Sequence, residues 1–374
     1  MHMRFHSTEK IYRYYILVVS VWAVCIVTRL KYNGLIYGFD YGLYQPDGMY
    51  YSQQTLELLG TSKALAMTEV ISWYRDNASK FATIDLASFY DTSSNPWLVT
   101  KFRVLYPLIS VPFVYLFGLT GMLVIPAISL LLFFLIIIKI AFLEKTPRVG
   151  MVIVLGLATS TTLLRWTTVN YSDALLLALF SILTYLFYRV KGNWSKQSLV
   201  ILSTIIFAAT FTKQTLPIWL CIGFSFVHLR QVRVALVVIF SSLFFAAPSF
   251  LSFPFSQYFN SKEAGGIPVS LINFVFSSIK VNVVEVGQLI VLDRSLLFIL
   301  IIVFYCAIKS PAKQNTLLLL WTLIGCLIVN SLVGVPGVNF RYLLPILPPA
   351  ILLLLTSNVM LNLENSFSKF KFKG

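Results

Sequence analysis

The chain has 374 residues, of which 58% are hydrophobic and 11% charged, with a mean hydropathy of +0.82. Soluble domains carry about 25% charged residues, so a water-facing globule is excluded and an all-α, polytopic transmembrane bundle is expected. The net charge of +15 then marks loops beside anionic lipid and the cytoplasm rather than nucleic-acid binding.

The apolar runs are 16–27, 122–138, 174–187, 296–308, 317–329 and 343–355. With extensions, most approach the roughly 20 residues that a spanning helix needs. The first is followed by Thr28-Arg29-Leu30-Lys31 instead of a small-residue cleavage site, so a first span is expected rather than a removed signal. Basic residues gather at Arg4, Lys10 and Arg13 and at 139–148, 189–196, 230–233, 309–313 and 369–373. Cytoplasmic placement of these puts both termini inside. It leaves 29–103, 165–173, the surroundings of Lys213, 253–291 and 335–341 facing outward. The acids agree: Asp40, Asp47, Glu57, Glu69, Asp76, Asp85 and Asp91 lie in 29–103, and Asp173, Glu263, Glu285 and Asp293 fall at outward positions.

One multi-pass domain, 1–374, is expected, with about ten or eleven segments in the plasma membrane. Its first extracytoplasmic loop, 29–103, is too long for a connector. Within it Pro46-Asp47-Gly48 precedes a helical stripe of Met49, Gln53, Leu56 and Leu59 that ends at Gly60, a good helix-terminating residue. A second helix is expected over 62–77, with Leu65, Val70 and Trp73 for apolar contact, and both are expected on the membrane surface. Between 104 and 143 two apolar segments flank Gly118-Leu119-Thr120-Gly121, where the charges require an odd number of crossings; the segment with Pro107 and Pro112 is expected to re-enter or lie in the interface. The ending 367–373 alternates Phe or Ser with Lys, as an interfacial anchor would. Cys25, Cys221, Cys306 and Cys326 all lie in apolar stretches, as small core residues.

The equipment for several chemistries is missing. His2, His6 and His228 cannot assemble a histidine-based zinc site, and neither a dinucleotide-binding glycine motif nor a phosphate-binding Gly-Lys-Ser/Thr loop occurs. No cofactor or metal is therefore assigned. What remains is outer-face carboxylates with cations beside them. Asp47 stands in Tyr44-Gln45-Pro46-Asp47-Gly48-Met49-Tyr50-Tyr51, among aromatics suited to stacking on a sugar; a carboxylate there could take a proton from an acceptor hydroxyl, or simply cap a helix. Arg341, in Phe340-Arg341-Tyr342-Leu343-Leu344-Pro345, could grip a lipid-linked phosphate or anchor the chain at the interface with Tyr342. Arg165 and Lys213, the latter beside Gln214, interrupt apolar sequence near the outer boundary, where ionisable groups face a cavity or snorkel. Arg103 is either a phosphate contact or a boundary charge. For Asp173 in Tyr171-Ser172-Asp173, a helix cap or dipole partner is the preferred role.

The order of these motifs resembles the GT-C superfamily of integral membrane glycosyltransferases, which includes protein mannosyltransferases and aminoarabinose transferases. It rests on Gln45-Pro46-Asp47-Gly48 with Tyr50-Tyr51, then Arg103-Val104-Leu105-Tyr106-Pro107, Tyr171-Ser172-Asp173, Thr212-Lys213-Gln214, and Phe340-Arg341-Tyr342. The resemblance implies a GT-C-like fold with Asp47 as the base and Arg341, Lys213, Arg103 and Arg165 on the donor phosphate. It also implies Gln45, Tyr50, Tyr51, Asp173, Gln214 and Tyr342 around the substrates. The donor would be a polyprenyl-phosphate sugar, and the acceptor an envelope glycan, lipid or protein, used extracytoplasmically with inversion. The rivals are a transporter or flippase of a lipid-linked or anionic solute, marked by uptake without product, and a non-catalytic member of the same fold.

Overall fold

The computed structural model describes residues 2–31, 46–77, 101–251, 271–309, 313–333 and 341–369, and these are helical with no strand among them. Four helices are long and apolar enough to cross a membrane, or up to seven if each of three bent pairs is one span; three more apolar helices are shorter. These are several membrane-compatible helices, but fewer of span length than the ten or eleven segments expected. Among the described residues the bent pairs and the three shorter helices make up the remaining apolar segments.

Helix α1 (His2–Lys31) runs antiparallel to α5 (Val124–Leu143). The Tyr14 ring meets Phe142 edge-on at 5.2 Å, and Trp22 Nε1 donates to the Ala127 carbonyl at 2.8 Å. The rest of α1 exposes Ile16, Val24 and Val27, an apolar face that suits lipid. The first-loop helices are α2 (Pro46–Leu58) and α3 (Lys63–Asn77), separated by a turn in which Gly60 has φ of 94°, as the stripe ending at a glycine suggests.

Of the two helices expected at the surface, α2 is the more enclosed by protein. In α2, residues 48–53, 55 and 56 are all buried, because α2 is packed between α4 (Leu105–Phe117) and the turn 168–172. Thr55 Oγ1 reaches the Pro107 carbonyl at 3.4 Å, and the Tyr51 ring meets Tyr106 edge-on at 5.3 Å. On α3 the buried face is Ala66, Val70 and Tyr74, while Leu65 is exposed. Of the expected apolar contacts, Val70 is buried and Trp73 partly buried against the core, whereas Ala66 takes the place expected of Leu65.

After α4, Gly118 takes a φ of 60° and a 3-10 turn (Gly118–Leu123) folds back on it. Tyr106 donates to the Met122 carbonyl at 2.6 Å, and Gly121 lies against the Phe113 carbonyl with no room for a Cβ. At 13 residues α4 is about 20 Å long and short of a span, whereas α5 at 20 residues reaches about 30 Å.

Then come α6 (Pro147–Ala158), α7 (Thr161–Thr167), α8 (Asp173–Val190), α9 (Lys196–Thr212), α10 (Leu216–His228) and α11 (Val232–Leu251). They are followed by α12 (Leu271–Leu292), α13 (Arg294–Lys309), α14 (Lys313–Val333), a 3-10 helix (Arg341–Ile346), α15 (Leu347–Leu355) and α16 (Asn358–Lys369). Most of the expected outer loop 253–291 is thus outside the described residues or inside α12. Glu285 and Asp293 are buried rather than exposed in a loop.

The three bent pairs are α6/α7 (76°), α12/α13 (117°) and the 3-10 helix with α15 against α16 (64°). Asp293 stitches two of these breaks together. Its carboxylate accepts from Ser160 Oγ at 2.5 Å and Thr162 N at 2.8 Å, and from Leu296 N at 2.9 Å. One side chain therefore satisfies the start of both α7 and α13, where lipid could offer no partner. Close approaches hold the rest of the bundle. Gly325 of α14 lies on the backbone of Ile218 in α10, as small residues allow in membrane helix pairs. The four cysteines are free and buried, as small core residues would be.

Candidate functional site

The bundle has two chemically different ends. At one, Thr146 precedes α6 and Glu364 of α16 accepts from Val149 N at 2.9 Å; Lys145, Lys191 and Arg230 occupy left-handed turns nearby in the helix connections. At the other lie Arg29, the turn 168–172, the start of α8, Lys213 and Arg341. The candidate residues meet at this second end.

Asp173 is the first residue of α8 and 1% exposed. It stands in the first turn of the helix, as the expected dipole partner would, and does not cap it. Ser172 is the N-cap position and makes no side-chain cap bond, and Asp173 uses one oxygen for Lys213 Nζ and the other for Arg341 Nε at 2.9 Å. Lys213 ends α9 in extended backbone (φ −160°, ψ 157°), which turns its side chain out of the helix run, and Arg341 opens the 3-10 helix. Three distant parts of the sequence are thereby joined through one carboxylate. Such a buried pair persists only with good geometry and further hydrogen bonds.

Aromatic rings complete the support. The Arg341 guanidinium carbon lies 4.1 Å from the centre of the Tyr171 ring and 5.2 Å from that of Trp166, and these two rings stack at 5.8 Å with 6° between planes. Arg165 lies 5.1 Å from Trp166, and Lys213 Nζ lies 4.2 Å from Tyr342. A flat guanidinium over aromatic faces is held in one plane, and each such contact contributes about 0.5–2 kcal/mol.

Arg103, 7% exposed, is near enough to Lys213 for their like charges to act on one another. It donates to the Tyr51 hydroxyl at 3.3 Å, which also bonds Ser172 Oγ at 3.2 Å. The first-loop helix is thereby wired to the residue beside Asp173. Asn170, wholly buried, bonds the Tyr74 hydroxyl of α3 and lies against Gly48 so closely that a Cβ at Gly48 would fall inside its side-chain amide. Asp47 is the second residue of α2 and adjoins Gly48; its side chain and the whole of Gln45 lie outside the described residues.

Arg103, Asp173, Lys213, Arg341, Tyr51 and Tyr342 therefore converge, and Arg165 joins through Trp166. Tyr50 is buried in α2 and Gln214 follows Lys213, partly buried. Sequence inspection missed Arg29, Thr168, Asn170, Ser172 and Trp166. Arg29 Nε donates to Thr168 Oγ1 at 3.0 Å, which brings the end of α1 to the same turn. The available signal was the polar run Thr167-Thr168-Val169-Asn170 between two apolar helices. Among the described residues Ser52 Oγ and Gln53 Oε1 are buried without a hydrogen-bond partner, which leaves polar capacity on α2. Among the described residues no three His, Cys, Asp or Glu side chains come together to hold a metal ion.

Comparison with protein-family models, curated proteins and solved structures returns no match. The chemistry of the site therefore carries the functional argument alone.

Proposed function

We propose that the chain is a membrane glycosyltransferase that moves a sugar from a polyprenyl-phosphate donor to an envelope glycan, lipid or protein acceptor, with inversion, on the extracytoplasmic side. The observation that carries this reading is the meeting of Arg103, Lys213 and Arg341 at one buried place, beside the helix turn that bears Asp47. Bringing three like charges together is costly in itself. A departing lipid phosphate is the kind of ligand that would offset that cost, and stabilising its growing charge is where fixed cations accelerate a reaction. An acceptor hydroxyl needs a base, and Asp47 is assigned that role.

Two further features support the reading. An open groove of about 760 Å³ runs between α12 and α14, walled by Ile279, Val283, Ile290, Leu327 and Ile328, with Asn282 and Ser331 hydrogen-bonded at 3.0 Å along it. α14 packs against the 3-10 helix that opens with Arg341, so a carrier chain in this groove would reach the cations with its phosphate. The basic connections at the opposite end agree with the orientation that places the site outside. The broken helices that would favour a transporter have another explanation: Asp293 is engaged by neutral donors at two breaks.

The test is Asp47→Asn, assayed for sugar transfer in membranes at equal protein level. Loss of the base should lower transfer by about 100- to 10,000-fold with folding intact. Undiminished transfer removes Asp47 and the reading with it.

A further inference from the structure

The turn 168–172 between α7 and α8 receives a contact from nearly every part of the site. Arg29 of α1 holds Thr168. Asn170 is bonded to Tyr74 of α3. Tyr171 lies under Arg341. Ser172 shares the Tyr51 hydroxyl of α2, and Asp173 follows with its two cations. Within this turn Asn170 has a distinct position. It is 0% exposed, and its amide fills the space that any side chain at residue 48 would need. A glycine at 48 is what permits so close a backbone approach. Tyr74 fixes the other side of the same amide, so Asn170 is a short, locked spacer between the first turn of α2 and the start of α8.

We infer that Asn170 is a positioning residue: by seating on Gly48 it sets the distance between the Asp47 backbone and the Arg341–Asp173–Lys213 cluster, three residues further along its own chain. The inference rests on the glycosyltransferase reading and adds a residue to it. A base must stand within hydrogen-bond reach of the hydroxyl it deprotonates, and a misplacement of about 1 Å can cost on the order of 100-fold in rate. The cations Lys213 and Arg341 are held by Asp173 and the aromatic rings. Loosening the spacer therefore disturbs the alignment of base and donor while leaving donor binding in place.

The experiment uses the full chain in lipid nanodiscs with a polyprenyl-phosphate sugar as probe. Asn170→Ala and Gly48→Ala should each lower kcat at least tenfold while the donor KM stays within threefold. The double variant should be no worse than the poorer single, because Asn170→Ala clears the space that the Cβ added at residue 48 would need. Losses that multiply, a fall confined to donor KM, or an unchanged kcat would each overturn the inference. Asp47→Asn, run alongside, separates the two claims. If it retains full transfer, the glycosyltransferase reading fails. If it abolishes transfer while Asn170→Ala keeps the parent kcat, only the role of Asn170 fails. A second readout needs no turnover. Asp47→Cys introduces a thiol into a chain whose four native cysteines are buried, and its rate of reaction with a water-soluble maleimide reports the pose of that helix turn. Adding Asn170→Ala should change this rate at least fivefold, and an unchanged rate counts against the inference whatever the donor.

Discussion

Asp173 and Asp293 are both buried aspartates at the start of a helix, 1% and 3% exposed, yet their partners differ in kind. Asp293 accepts from a serine hydroxyl and two backbone N–H groups, 133, 131 and 3 residues away and all neutral. Asp173 accepts from Lys213 and Arg341, which come from 40 and 168 residues away and bring charge with them. The first arrangement completes the backbone bonding at a bend. The second gathers two cations from separate helices where the first-loop helix also arrives. The partners of a buried carboxylate, more than its burial, separate a neutral joint in the bundle from a charged cluster.

Substitution by asparagine tests this contrast most strongly at residue 173. Asp173→Asn leaves Lys213 and Arg341 without their shared charge and should cost about 3–5 kcal/mol, read as a large fall in melting temperature in detergent. Adding Lys213→Met should recover much of that stability but no donor binding. If the single variant melts like the parent, the cations are not confined as described. Next in size, Arg341→Lys keeps the charge but loses the planar stack over Tyr171 and Trp166. Donor binding should weaken about tenfold, or about 1.4 kcal/mol, measured by calorimetry. Asp293→Asn should be mild, about 1 kcal/mol in melting, because asparagine caps a helix nearly as well as aspartate, and transfer per folded molecule should not change. The smallest effect belongs to the groove. Gly287→Val narrows its wall and should raise the KM of a long-chain donor a few-fold while sparing a short-chain analogue.

The sequence made much of this site visible because charges inside apolar runs are costly and therefore conspicuous. Lys213 and Arg165 stand out this way, Arg341, Asp173 and Arg103 stand out as charges at helix boundaries, and the α2 stripe with Gly60 is legible from periodicity alone. Which charge meets which was not legible. The pairing of Asp173 with Lys213 and Arg341 is set by how α8, α9 and the 3-10 helix pack, so a local cap was the simpler expectation. Asn170 and Thr168 looked like ordinary turn residues, since their partners, Tyr74, Gly48 and Arg29, lie far off in sequence. The bends after α6 and α12 were not legible either, because the bonds that Asp293 makes at both come from residues far apart in sequence.

The central claim is that Lys213, Arg341 and Arg103 form a seat for a lipid-linked phosphate. The most direct measurement is saturable binding of a polyprenyl phosphate to the purified full chain in nanodiscs, compared with Arg341→Ala at matched folding. The account expects binding to the parent and at least tenfold weaker binding to the variant. Equal affinity in the two, or no saturable binding to the parent, would contradict it.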